Sequence, residues 1–324
     1  MKRLPLMFTL LVFVSISVCM CGNAFGQIMD EENAPEHVKE TLARLREEIE
    51  SHNLTFNVGY NVAHQYTIEQ LCGLRETDTW WTEAKDLNIQ AIKPKNLTMR
   101  VEAEDVGLPQ VWDWRANNGV TSVKDQQNCG SCWAFSAIAS FESNLLIEQA
   151  INVDLSEQHL VSCNPWNWGC NGGWWPHDML KNPGAVLESE FPYEAEDLPC
   201  GTSYNYVYQL NGWAYIDGDD KIPSVDKIRQ AIYNNGPVCA SVYVGSAFQS
   251  YTGGVFNKDE SPKKGFLDCS DPVKVNHAIL IVGWDDTKGA WIIKNSWSRY
   301  WGDNGYMYIK YGISNVGYAA ALVY

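Results

Sequence analysis

The sequence predicts an α+β fold in two halves, helices first and an antiparallel, barrel-like sheet second, with a cleft between them. Three observations carry this. An apolar, helix-favouring run fills Trp133 to Ile147. From about residue 209 the texture changes to short β-rich runs: Val238 to Val244, Ala278 to Trp284, Ala290 to Lys294 and Gly305 to Tyr311. Turns rich in Gly, Asn and Asp divide them. No internal repeat or low-complexity tract breaks the pattern, so one helical layer against one sheet is the simplest packing.

The chain has 324 residues, room for about two domains of ordinary size, and 45% are hydrophobic, enough for a sizeable core. The formal net charge of −15 argues against nucleic acid or an anionic membrane as partner.

Taken in order, residues 1–26 read as a signal peptide. Lys2 and Arg3 precede an apolar run from Leu4 to Val18, and Ala24-Phe25-Gly26 offers small residues at a cleavage site. A membrane span is disfavoured by the short run and by Pro5. A lipid-modified Cys19 or Cys21 fits its flanking residues poorly. The expected location is therefore the secretory route, ending outside the cell or in a lysosome or vacuole. Pro35 to His52 carries Val38, Leu42, Leu45 and Ile49 on one face, an amphipathic helix. Asn53-Leu54-Thr55 and Asn96-Leu97-Thr98 are N-glycosylation sequons. Residues 75–105 are mixed and charged with no period, and read as a linker. At Leu108-Pro109 the composition turns to Trp, Gly and Cys. A helix is expected over about Ser131 to Ala150, and a short one over Leu155 to Val161 with Ser156 or Asp154 as cap. Cys163 to Gly173 reads as a loop, and Ser224 to Tyr233 as one more helix.

Secretion makes the cysteine count meaningful. Ten cysteines are present; Cys19 and Cys21 leave with the signal and Cys72 lies in the leader. Seven remain, Cys129, Cys132, Cys163, Cys170, Cys200, Cys239 and Cys269. Three bridges leave one thiol unpaired. Cys132 opens the long helix, where backbone N–H groups and the helix dipole favour a thiolate and lower its pKa. A thiolate nucleophile needs a base, and the base an orienter. His159 lies inside an apparent helix and His177 in a loop, whereas His277 starts a strand at the rim of a β core. Asn295, at another strand end, can accept the ring N–H, with Trp297 shielding that bond. Gln126 can aim a side-chain N–H at a tetrahedral oxyanion beside the N–H of Cys132.

Gln126 to Phe135, Gly169 to Gly173, Asn276-His277-Ala278 and Asn295-Ser296-Trp297 together resemble the papain family of cysteine peptidases, over about residues 108–324. The resemblance implies a papain-like two-domain fold, with a helical left domain over about 108–208 and a β-barrel-like right domain over about 209–324. It implies Cys132 as nucleophile, His277 as proton carrier, Asn295 as orienter and Gln126 as oxyanion donor. Gly172, Gly173, Trp174, Trp175, Asn276 and Trp297 would contact substrate. Ala321 would floor an apolar pocket suited to a hydrophobic or aromatic side chain, although the usual cysteine near the C-terminus is Val316. No cofactor or metal is expected. The implied bridges are Cys129–Cys170 and Cys163–Cys200, with Cys239–Cys269 as the remaining pair. Val58-Gly59-Tyr60-Asn61 and Leu71-Cys72-Gly73 resemble the propeptide of cathepsin B, a segment that blocks the cleft in that family. Residues 27–107 are therefore expected to be an inhibitory propeptide on a monomeric peptidase acting on proteins or peptides. Gly173 to Cys200 has no counterpart of cathepsin B's histidine-bearing occluding loop, which implies an open cleft and endopeptidase action.

Rival readings remain at this point. Cys129-Gly130-Ser131-Cys132 is a CxxC, compatible with a thiol–disulfide oxidoreductase or, with Cys163 and Cys170, a zinc site. A catalytically silent binding homologue is a third, and an accessory domain over 27–105 a fourth.

Overall fold

The computed structural model describes residues 29–90, 107–263 and 274–324. The expected signal peptide, the Asn96 sequon and Cys269 lie outside the described residues.

The leader begins with α1 (Glu36–Ser51), which buries Val38, Leu42 and Leu45 and turns its charges outward. A short strand β1 (Phe56–Val58) follows, then α2 (Ile68–Leu71) and α3 (Trp80–Asp86). The expected linker thus contains a helix. It escaped the sequence reading because seven residues are too few to show a period, and a single aromatic, Trp80, anchors it.

The body starts with β2 (Val111–Asp113) and the long α4 (Cys132–Gln149). Most of α4 is buried on every side, as a central helix should be. Then come α5 (Glu157–Cys163), capped by Ser156 Oγ accepting from His159 N at 3.0 Å, and α6 (His177–Lys181). His177 therefore starts a helix and is fully buried, contrary to the loop expected; its ring stacks on Trp213. The second half supplies β3 (Trp213–Tyr215), α7 (Val225–Asn235), β4 (Val238–Val242), α8 (Ser246–Gln249) and β5 (Tyr251–Phe256). It ends with β6 (His277–Asp285), β7 (Ala290–Lys294), β8 (Tyr306–Lys310) and β9 (Tyr318–Val323).

The strands follow the order β1-β5-β8-β7-β6-β4-β9-β3, with β2 also on β6. The sheet is open rather than a closed barrel, and β5 and β8 pair in parallel where an all-antiparallel sheet was expected. Every residue of β6 is buried because α4 covers it. The Ser136 hydroxyl donates to Ile279 O at 2.9 Å across that contact, tying the start of α4 to the start of β6. The two ends that carry Cys132 and His277 are thereby brought together.

Two apolar clusters result. One lies beneath the sheet around Phe248, Trp291 and Trp301; the other packs between α4 and the opposite face around Trp133, Leu160 and Trp174. The leader enters both: Val38, Leu42, Phe56 and Leu71 the first, Leu74, Trp80 and Ala84 the second.

Candidate active site

His277 is the first residue of β6 and Asn295 directly follows β7, the neighbouring strand. Their register sets His277 Nε2 at 2.8 Å from Asn295 Oδ1. The same Oδ1 accepts from Ser296 N at 2.8 Å, so it is the oxygen and the ring Nε2 carries the proton. Trp297 packs against the imidazole at 4.8 Å between ring centroids. Nδ1 is buried and has no hydrogen-bond partner.

Cys132 opens α4 with its side chain fully buried. The N–H groups of Ala278, Gly73 and Trp133 point at its sulfur. Ala278 follows His277, so sulfur and imidazole share one corner of the cleft. Burial nonetheless pushes the thiol up to about 11, against those donors, and pulls the imidazole down to about 4, against its bond to Asn295. The lowered thiol pKa expected at a helix start is therefore not found here. Desolvation beneath the leader outweighs the helix N-terminus, and both groups are neutral.

Gln126 is fully buried beside Ser296 and the leader. Ser296 Oγ donates to its Oε1 at 2.7 Å, which turns the NH₂ inward. Nε2 then donates to Leu71 O at 3.0 Å and to Cys129 O at 2.8 Å. A carbonyl of the leader thus takes the Gln126 N–H, and it also faces the His277 ring.

The leader continues through the cleft by backbone pairing. Leu74 N donates to Asn276 O (3.0 Å), Gly173 N to Gly73 O (2.9 Å) and Arg75 N to Gly173 O (2.9 Å), a parallel bridge. The approach is so close that a Cβ on Gly73 would lie 1.7 Å from Gly130 O. Gly172 has φ +117°, and a Cβ there would meet Gly73 O at 2.5 Å.

The remaining expected contact residues fall around this path. The Asn276 side chain braces Val244 N and O (2.8 and 3.0 Å) while its carbonyl receives Leu74. Trp174 is buried with its Nε1 on Tyr215 OH (3.1 Å), and Trp175 Nε1 donates to Ala319 O (3.0 Å). Ala321 lies on β9 opposite Tyr215 and Cys239, inside the same apolar cluster as Trp174. Over this wall lies leader residue Trp80, packed on Trp174, Tyr215 and Tyr318 at 5.7, 5.7 and 5.1 Å.

Cys129 is bonded to Cys170 and Cys163 to Cys200. Cys129 is thus committed away from Cys132, which removes the CxxC redox pair and the four-cysteine zinc site. Among the described residues Cys239 is a free, buried thiol on β4; its expected partner Cys269 lies outside them. Its sulfur lies 3.2 Å from Ser136 O and 3.5 Å from His177 Nε2. An odd cysteine count could not reveal this, because a small core apolar position accepts a thiol as readily as any other side chain of its size.

The sequence reading also missed a buried ion network behind the site. Lys124 bridges Glu142 (2.9 Å), Glu157 (2.9 Å) and Asp154 (2.6 Å); Thr121 Oγ1 donates to Glu142 and accepts from Lys294 Nζ (2.6 and 3.2 Å). Burial lowers Lys294, next to Asn295, to about 8. Tyr193 OH donates to Gln126 O at 2.9 Å, adding a brace to the loop that carries Gln126. Charges scattered along the sequence gave no signal that they would converge.

The profile of the papain family cysteine protease matches residues 108–324. The chain belongs to the papain family of cysteine proteases. It is 31% identical over 295 residues to digestive cysteine proteinase 2 of Homarus americanus, covering 88% of this chain and 82% of that one. It is 34% identical to the viral cathepsin of Heliothis zea nuclear polyhedrosis virus over 66% of this chain and only 56% of the relative's length. The solved digestive procathepsin L2 of Tenebrio molitor larval midgut superposes with a TM-score of 0.73 at 27% identity, covering 89% of this chain and 90% of that one. That match runs across the leader as well as the body, and the matched protein is a procathepsin. Papain-family relatives and proform neighbours together support a cysteine endopeptidase made as a zymogen. Among the described residues, no helix is long and apolar enough to cross a membrane.

Proposed function

We propose that residues 108–324 are an endopeptidase in which Cys132 attacks the scissile carbonyl and His277 carries the proton, and that residues 27–107 hold it off. One observation carries this reading: Leu71 to Arg75 fills the space between Gln126, Cys132, His277 and Gly173, as a peptide would. Once the leader leaves, water reaches the thiol and the imidazole, and the desolvation that keeps both neutral falls away. Thiolate and imidazolium then stabilise each other. The thiolate adds to the carbonyl carbon. Gln126 Nε2, with its orientation set by Ser296, and the N–H of Cys132 would receive the oxyanion in the seat now held by Leu71 O. His277 gives its proton to the departing amine, and Asn295 keeps the ring aimed throughout. Water, deprotonated by the same imidazole, then releases the acyl group.

Trp174, Tyr215, Tyr318 and Ala321 wall the part of the cleft that Trp80 covers. This supports a preference for substrates with a hydrophobic or aromatic side chain there. Secretion or a lysosome-like compartment is the destination this reading supports, since the sequence opens with a signal-like segment. The test is Cys132→Ala in the processed enzyme. It should abolish peptide hydrolysis and labelling by an epoxide thiol reagent, while persistence of either would remove Cys132 from the role. The full chain should gain activity on removal of residues up to about 107; equal activity before and after that cut would end the restraint reading.

A further inference from the structure

The leader carries one cysteine, and it lies at the point where the chain crosses the reacting groups. We propose that Cys72 and Cys132 form a reversible disulfide that locks the covered cleft, made by exchange with a low-molecular-weight disulfide such as glutathione disulfide. The proposal rests on the reading of Cys132 as nucleophile and of residues 27–107 as its restraint.

The geometry comes from both neighbours of Cys72. On one side Leu71 O receives the Gln126 amide at 3.0 Å; on the other the Gly73 N–H points at the Cys132 sulfur. The backbone nitrogen two bonds from Cys72 Cα thus faces the sulfur to be joined. The approach is fixed upstream by α2, whose capping box pairs Thr67 with Gln70 and which ends at Cys72. Downstream it is fixed by the Leu74–Gly173 bridge and by Gly73 pressed against Gly130. Both thiols are unbridged, and burial together with the nearby Cys132 raises Cys72 well above the ordinary thiol range. Neither sulfur has another cysteine to turn to among the described residues: Cys239, the third unbridged one, sits within the core against Ser136 and His177.

The exchange balances. The Cys132 thiolate attacks one sulfur of glutathione disulfide and displaces one glutathione thiolate. The Cys72 thiolate attacks the Cys132 sulfur of that mixed disulfide and displaces the second. Two protein thiols lose two electrons and their two protons, and one glutathione disulfide becomes two glutathione molecules. The buried neutral thiols exchange when the leader transiently lifts, or as the chain folds in an oxidising compartment. The bond then holds the leader over the nucleophile covalently, and a reductant becomes a condition for activation.

The experiment uses the purified full chain. It is equilibrated with glutathione disulfide, alkylated, digested without reduction and mapped by mass spectrometry, alongside Cys72→Ser. The expected result is a peptide holding Cys72 joined to one holding Cys132, with Cys129–Cys170 and Cys163–Cys200 intact. The oxidised chain should fail to gain activity when its leader is cut unless reductant is added, and its cut leader should stay attached to the peptidase under non-reducing denaturing conditions, whereas in Cys72→Ser the cut leader should separate with and without the oxidant. A chain that carries only glutathione on Cys132, or Cys72 joined elsewhere, would overturn the proposal. So would unimpaired activation of the oxidised wild type. Failure of the underlying reading looks different: the reduced, processed enzyme would then keep its activity in Cys132→Ala.

Discussion

Gly73→Ala should open the zymogen without touching the peptidase. Gly73 does not occupy a positive-φ conformation, so alanine can adopt the same backbone and only space is at issue. The added Cβ would stand 1.7 Å from Gly130 O, a backbone atom held by its own N–H bond to Cys170 O at 2.9 Å. The leader must therefore move. Moving it breaks the bonds from Gln126 to Leu71, Leu74 to Asn276, Gly173 to Gly73 and Arg75 to Gly173. At about 0.5–1.5 kcal/mol net for each, the covered state loses roughly 2–6 kcal/mol against the open one. Even the lower figure raises the open fraction by about thirtyfold, since 1.4 kcal/mol is tenfold. The assay is the rate at which a thiol reagent labels Cys132 in the unprocessed chain, read on the Cys132 peptide. Labelling should rise by at least that factor, while the processed enzyme, which lacks residue 73, is unchanged. An unaltered labelling rate would refute the claim that the backbone contact at Gly73 holds the cleft shut.

Three further outcomes are expected. Trp80→Ala removes a fully buried ring from the wall of Trp174, Tyr215 and Tyr318, so the leader should weaken by about 3–5 kcal/mol, read as faster activation of the full chain. Acid should loosen the leader, because burial lowers His277 to about 4 and also lowers leader residue His64. A depressed imidazole leaves the grip intact above pH about 6.5; as pH falls from there towards about 4 the uncovered state takes up protons that the covered state refuses. For His277 alone the loss reaches about 3 kcal/mol near pH 4, and activation rates that stay flat from pH 7 to 4 would contradict it. Lys124→Met leaves Glu142 and Glu157 buried without their cation and should lower the unfolding free energy by about 3–5 kcal/mol, checked by denaturant unfolding of the processed enzyme.

The fold and the residues of the candidate site were legible because they rest on local patterns. The apolar run after Cys132 became α4, the β-rich runs became β4, β6, β7 and β8, and Gln126, His277 and Asn295 each stood at an element's edge. The structure gathers all four around one cleft. What stayed hidden depended on long-range meetings. Trp80 gives no period of its own, yet it is buried against residues more than ninety positions away. Lys124, Glu142, Glu157 and Lys294 read as ordinary charges until α4, α5 and β7 converge on them. Parity could not place Cys239 either, since it counts sulfurs and says nothing about the core position that packs this one against Ser136 and His177. The thiol pKa reversed for a related reason: the helix start is a local feature, but the leader that desolvates it arrives from sixty residues upstream.

The leader's two anchorages explain how so short a cleft segment can be held. Residues 71–75 alone contribute a few backbone bonds, comparable to what a substrate peptide would make and then lose on cleavage. Upstream, α1 and β1 bury Val38, Leu42, Leu45 and Phe56 in the cluster beneath the sheet, and β1 pairs with β5 at its end. Downstream, Trp80 and Ala84 enter the other cluster, on the far side of the cleft. The crossing segment is therefore tied to both halves of the peptidase, and lifting it requires one anchor to leave its core first. Ends held this way turn release into a cooperative event rather than a local fray, which is what a restraint on a self-destructive enzyme requires. The prediction this makes is specific. Leu42→Ala, remote from the cleft, should speed Cys132 labelling in the full chain as Trp80→Ala does, and an effect confined to the Trp80 side would show that the two anchors act separately.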